Sequence, residues 1–182
     1  MEPKLVLTGF MGTGKSRVGR VAAERLGWRF VDSDREISAR EGKSIPEIFA
    51  IEGETSFRAI EREVIAAIAS DPAPAVIATG GGAIADAQNL RILEESGIVI
   101  CLTANPQVIT ERVARSSTIR PKLLEGGQPL LERVMQLLDE RAPIYARAAA
   151  TVDTSETSIE ESAERLLDTY FAIRNQRCKP SV

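Results

Sequence analysis

The segment Gly9-Phe10-Met11-Gly12-Thr13-Gly14-Lys15-Ser16 fits the phosphate-binding pattern G-x-x-x-x-G-K-[ST] in full. Its glycines allow consecutive N–H groups to turn inward around an anion, and a helix starting here points its positive end at the same charge. In that pattern Lys15 reaches the β- and γ-phosphates and the Ser16 hydroxyl ligates Mg²⁺. A second group is Asp32-Ser33-Asp34. Two carboxylates two residues apart at a strand end suit a Mg²⁺ ion and a substrate hydroxyl. Equally, Asp32 or Ser33 could cap a helix, with Glu36 in the capping-box position relative to Ser33. A third group, Thr79-Gly80-Gly81-Gly82, marks close approach of backbone to another group. Arg58, one turn from Glu61, and Arg141 each read either as surface charge or as a carboxylate clamp. The polar, basic stretch 115–127 reads as a loop that closes over a phosphorylated ligand.

These residues need elements to position them. Short apolar runs at Lys4–Thr8, Arg29–Val31, Ala75–Ala78, Ile98–Leu102 and Ala150–Val152 read as strands. Helical stretches lie between them, at about 14–26, 34–41, 45–52, 55–69, 86–96, 106–115, 128–147 and 158–174. Such alternation predicts an α/β fold with a mainly parallel sheet covered on both faces. Ligands in these sheets bind beyond the carboxyl ends of the strands. That rule gathers Gly9–Ser16, Asp32–Asp34 and Gly80–Gly82 at one edge. Residues 1–174 read as a single domain, and 175–182 as a polar tail.

Composition narrows the function. The chain has 182 residues, 43% of them hydrophobic and 27% charged, the proportions of an ordinary globular domain. Its net charge of −3 argues against a nucleic-acid partner. It contains no histidine, so imidazole acid–base chemistry and histidine metal sites are excluded. Its two cysteines, Cys101 and Cys178, form no close metal-ligand pair and no disulfide framework, which suits a reducing cytoplasm. No apolar stretch is long enough to span a bilayer, and Glu2 leads directly into the first strand, which reads as a chain without a signal peptide.

Taken together, Gly9–Ser16, Val31-Asp32-Ser33-Asp34, Ser44-Ile45-Pro46-Glu47-Ile48-Phe49, Gly53–Arg58, Thr79–Gly82, Arg120-Pro121 and Arg141-Ala142-Pro143-Ile144-Tyr145 resemble shikimate kinase, from about Lys4 to Asp153. The resemblance implies a three-layer α/β/α phosphate-loop fold of the nucleoside-monophosphate-kinase-like type, with a five-stranded parallel sheet in the order 2-3-1-4-5. It implies a substrate-binding region at about 33–61 and a lid at about 115–127. It implies ATP-dependent, Mg²⁺-assisted phosphorylation of the shikimate 3-hydroxyl, a step of aromatic amino-acid biosynthesis, by a cytoplasmic monomer without nucleic-acid or membrane partners.

By the same resemblance Asp34 orients or deprotonates the 3-hydroxyl. Arg58 and Arg141 hold the shikimate carboxylate, with backbone help from Gly80 and Gly81. Phe49 and Phe57 wall the pocket, and Glu61 holds Arg58. Gly12, Thr13, Gly14, Lys15, Ser16 and Arg17 serve the nucleotide, with Arg115 against the adenine and Arg120 on the phosphates. Lys15 and Arg120 join Asp34 as catalytic groups, and Ser16 and Asp32 serve the metal. Lys122 stands where a leucine usually follows Arg-Pro, and Thr154-Ser155-Glu156 lacks the basic residue often found on the adenine side. The rival readings are a gluconate-type kinase on the same scaffold and a non-catalytic nucleotide-binding relative.

Overall fold

The structure, a computed structural model, describes residues 2–116, 123 and 127–177. Five parallel strands form one sheet: β1 (Lys4–Thr8), β2 (Arg29–Asp32), β3 (Ala75–Ala78), β4 (Gly97–Thr103) and β5 (Ala150–Asp153). Their order is β2-β3-β1-β4-β5, as the resemblance implies. All five β1 residues are buried, which explains why a central strand reads as an unbroken apolar run rather than an alternating one. Alternation instead decides which face each side chain enters. Leu5 and Leu7 enter one core cluster with Ile98, Ile100 and Tyr170. Val6 enters the other with Ile77, Val99 and Phe57. Each such side chain, fully buried, contributes about 1.5–3 kcal/mol.

The helices α1 (Lys15–Leu26) and α7 (Ile159–Arg177) cover the first face. Helices α3 (Ile45–Ser70), α4 (Ala87–Ser96) and α6 (Leu130–Tyr145) cover the second. Helices α2 (Ser33–Glu41) and α5 (Pro106–Ala114) and a short 3-10 turn at Ala83–Ala85 lie among the connections. Gly19 lets α1 lie close to the sheet, since a Cβ there would meet Phe30 at 2.7 Å and Leu7 at 2.9 Å.

Helix α3 starts at a capping box formed by Ser44 and Glu47, and Gly53 interrupts it at φ 82°, ψ 171°. That break separates the two stretches read as 45–52 and 55–69. Asp32 precedes α2 but its side chain makes no capping bond, and Ser33 is already helical. The capping alternative for Asp32-Ser33 is therefore not what the fold uses. Helix α7 continues to Arg177, three residues past the point where the sequence places the polar tail, and Arg177 donates to the Gly97 carbonyl at 3.2 Å. No helix among the described residues is long and apolar enough to cross a membrane.

Candidate active site

The loop between β1 and α1 turns on three glycines at positive φ. Gly9 has φ +130°, and a Cβ on it would collide with the Leu102 carbonyl oxygen. Gly12 and Gly14 have φ of +82° and +94°, in the left-handed region that favours glycine. The Lys15 ammonium lies across this loop, donating to the Gly9 carbonyl at 2.8 Å and the Phe10 carbonyl at 3.0 Å. Ser16 Oγ donates to Asp32 Oδ2 at 2.7 Å, which joins the loop to the end of β2. Arg17 is exposed on the first turn of α1.

Beside the loop, the glycine triplet after β3 passes between four side chains that the chain brings from far apart. A Cβ on Gly80 would lie 2.7 Å from Asp34 Oδ1 and 3.2 Å from Glu61 Oε1. One on Gly81 would lie 3.3 Å from Arg141 Nη1, and one on Gly82 3.2 Å from Arg58 Nη2. Asp34, Arg58, Glu61 and Arg141 therefore meet around Gly80–Gly82, next to Gly9. The Gly80 N–H donates to Ser33 Oγ at 3.0 Å and its carbonyl accepts from Ala83. The Gly81 carbonyl accepts from the Tyr145 hydroxyl at 2.8 Å. Gly80 thus contributes space rather than an open N–H, because Ser33 already occupies its donor.

Glu61 is 1% exposed. Burial pushes its carboxyl above the usual range, and the bond from Arg58 Nη1 at 2.8 Å pulls it back down. Burial acts on Arg58 in the opposite sense, but its bonds to Glu61 and Glu54 outweigh that and raise it. Phe49 and Phe57 stack with centroids 4.5 Å apart, the Arg58 guanidinium lies 5.2 Å from the Phe57 ring, and that of Arg141 lies 5.3 Å from the Phe10 ring. Both guanidiniums thus lie against aromatic rings, and the Arg58 fork is shared between buried Glu61, through Nη1, and exposed Glu54, through Nη2 at 3.0 Å.

On the other side of the loop, Arg115 ends α5 with its side chain in solvent, 3.5 Å from Glu111. Arg112, one turn earlier, reaches the loop instead, donating to the Gly12 carbonyl at 3.3 Å and to Thr154. Burial lowers the Arg112 guanidinium, Asp153 raises it and Arg17 lowers it further. Ala104, Asn105, Asp153 and Ser155 border a polar cleft of about 520 Å³ here. Arg120 and Lys122 lie outside the described residues. Arg112, Ser33, Tyr145 and Thr154 are the residues that sequence reasoning missed. Tyr145 ends a quoted motif and Thr154 follows a strand, so both carried a signal.

A phosphate loop at the carboxyl edge of a 2-3-1-4-5 sheet, facing a carboxylate and a pair of arginines, defines a phosphoryl-transfer enzyme for a small anionic acceptor. The shikimate kinase family model matches residues 11–171. The chain belongs to the shikimate kinase family, whose reaction is the ATP-dependent phosphorylation of shikimate. It is 42% identical over 171 residues to a shikimate kinase of Thermodesulfovibrio yellowstonii, covering 94% of this chain and 96% of that one. It is 41% identical over 163 residues to a shikimate kinase of Pelotomaculum thermopropionicum, covering 90% and 92%. Among solved structures it resembles the shikimate kinase of Acinetobacter baumannii in complex with shikimate, with a TM-score of 0.87, 36% identity and coverage of 98% and 97%. A gluconokinase of Sinorhizobium meliloti shares the fold, at a TM-score of 0.59 and 19% identity.

Proposed function

We propose that this chain transfers the γ-phosphoryl group of ATP to the 3-hydroxyl of shikimate, using the residues gathered around Gly80–Gly82. The observation that carries the assignment is the meeting of Asp34, Arg58 and Arg141 at that triplet, one loop away from Lys15. A carboxylate acceptor docks its anion on the two guanidiniums, which offer a bidentate fork that lysine lacks. Asp34 then faces the ring hydroxyls, orients the 3-hydroxyl and accepts its proton. Phe49 and Phe57 close the apolar side of the ring, Glu61 keeps Arg58 directed inward, and the Gly81 N–H lends a backbone contact.

The loop residues Gly12, Thr13, Gly14, Lys15 and Ser16 hold the phosphates, with Arg17 adding positive charge. Lys15 swings from its carbonyl bonds toward the γ-phosphoryl group as charge develops there. Arg120 joins it from the lid. Phosphoryl transfer passes through a loose transition state, so position and charge neutralisation matter more than a strong base. Arg115 flanks the adenine.

Ser16 and Asp32 would hold Mg²⁺: both present hard oxygen donors and they already meet at 2.7 Å. When bound, the ion neutralises charge on the phosphate oxygens.

The enzyme acts as a cytoplasmic monomer on shikimate and ATP, without nucleic acid or membrane. The test is coupled ADP release with Mg²⁺ and ATP, with and without shikimate and with gluconate as control. Shikimate-dependent release is expected. Release with gluconate alone, or none with either, would overturn the assignment.

A further inference from the structure

Thr154 follows β5 and is 2% exposed, although it opens a polar loop. Its N–H donates to the Thr103 carbonyl at 2.9 Å. Its own carbonyl accepts from Arg112 Nη2 at 2.6 Å, and its hydroxyl accepts from Arg112 Nη1 at 3.0 Å. That hydroxyl also lies 2.9 Å from the Thr13 carbonyl and 3.1 Å from the Thr103 carbonyl. A hydroxyl has one proton to give. The Thr13 carbonyl is the nearer acceptor, so the proton goes to Thr13. Arg112 takes the Gly12 carbonyl at 3.3 Å.

Two successive loop carbonyls are therefore drawn outward, toward β5 and α5. In a trans peptide the N–H points opposite to the preceding carbonyl. Drawing the Thr13 carbonyl toward Thr154 aims the Gly14 N–H at the concave side of the loop. Gly12 and Gly14, at φ +82° and +94°, impose little of this by themselves, because glycine tolerates many backbone conformations.

We infer that Thr154, acting with Arg112, is a positioning residue that presets the phosphate loop to receive the ATP phosphates. The inference rests on the reading that this loop binds ATP. Preset donors cost no reorganisation when the anion arrives, so they act on affinity for the phosphate chain itself.

The test is direct binding by calorimetry, with ATP and with inorganic tripolyphosphate in competition, on wild type, Thr154→Val and Thr154→Ser. Valine keeps the shape and removes the hydroxyl. Both ligands are expected to weaken together by about two- to tenfold in Thr154→Val, with serine restoring them. Weakening of ATP alone would assign Thr154 to the nucleoside and overturn the inference. So would unchanged affinities accompanied by a lower Tm, or a serine variant as weak as valine. Should Thr154→Val fail to fold, Arg112→Gln tests the same joint weakening through the Gly12 carbonyl. Wild-type ATP binding without shikimate-dependent turnover would count against the acceptor assignment and leave this inference standing.

Discussion

Arg58 Nη1 donates to Glu61 Oε2 at 2.8 Å, and the two side chains differ sharply in exposure: that of Arg58 is 28% exposed, that of Glu61 2%. The pair is thus asymmetric. Removing the arginine strands a buried carboxylate, while removing the glutamate leaves a cation that still reaches water. Arg58→Ala should cost about 3 kcal/mol of stability and weaken shikimate binding. Glu61→Ala should cost less stability yet also raise the KM for shikimate.

The same pair gives a pH dependence with a definite sign. Burial pushes Glu61 above 4.5 and Arg58 pulls it down, so losing Arg58 raises the folded-state value further. A group raised on folding contributes stability below its unfolded value and loses it as pH rises. The deficit of Arg58→Ala relative to wild type should be largest near pH 8 and shrink toward pH 5, read by urea melts at both. A deficit independent of pH would separate the loss from the Glu61 charge.

Lys15 should be needed for the chemical step rather than for folding. Its ammonium bonds two loop carbonyls that backbone relaxation or water can satisfy in its place. Lys15→Met is expected to keep its circular dichroism spectrum and Tm while kcat falls by about 100-fold or more. Single-turnover kinetics with saturating ATP would check this.

Gly80→Ala probes the crowding around the triplet. The new methyl would sit 2.7 Å from Asp34 Oδ1 and 3.2 Å from Glu61 Oε1. Asp34 must move, so kcat/KM for shikimate should drop by about tenfold or more, while ATP affinity, measured separately, stays unchanged. An equal loss for both substrates would show that the triplet serves the loop as well.

Cys101 should be inert in the folded protein. It is fully buried in β4, and burial pushes its thiol up to about 11, against a small opposing pull from Lys15. At pH 8 about one molecule in a thousand carries the thiolate, the reactive form. Mass spectrometry after iodoacetamide should find Cys101 unmodified in native protein and modified in denaturant.

Much of this architecture was legible in the chain. The inner strands β1, β3 and β4 lie where apolar runs stand, because a strand buried on both faces has no polar side to interrupt it, while the edge strands β2 and β5 are partly exposed and carry only short apolar signals. The helix break at Gly53 was legible too, as two periodic stretches with a gap between them. Ends were less so. β4 extends from Gly97 to Thr103 and α7 to Arg177, since the flanking residues pair with neighbouring elements rather than following their own propensity. Arg115 and Arg112 stand three residues apart on one helix, and spacing does not say which of them faces the loop.

The sequence by itself determined the kind of chemistry. Gly9–Ser16 permits a phosphate cradle through glycine's conformational freedom and supplies one lysine to it, and the absence of histidine removes a whole class of acid–base mechanism. These are properties of residue type and short spacing, and a linear text carries them. Only the tertiary structure decided which distant groups share a site and which partners they already have. Ser33 takes the Gly80 N–H across 47 positions, Tyr145 the Gly81 carbonyl across 64, and Thr154 the Thr13 carbonyl across 141. Such bonds depend on how the sheet order and helix packing bring strand ends together, because hydrogen bonding acts over about 3 Å in space whatever the separation along the chain.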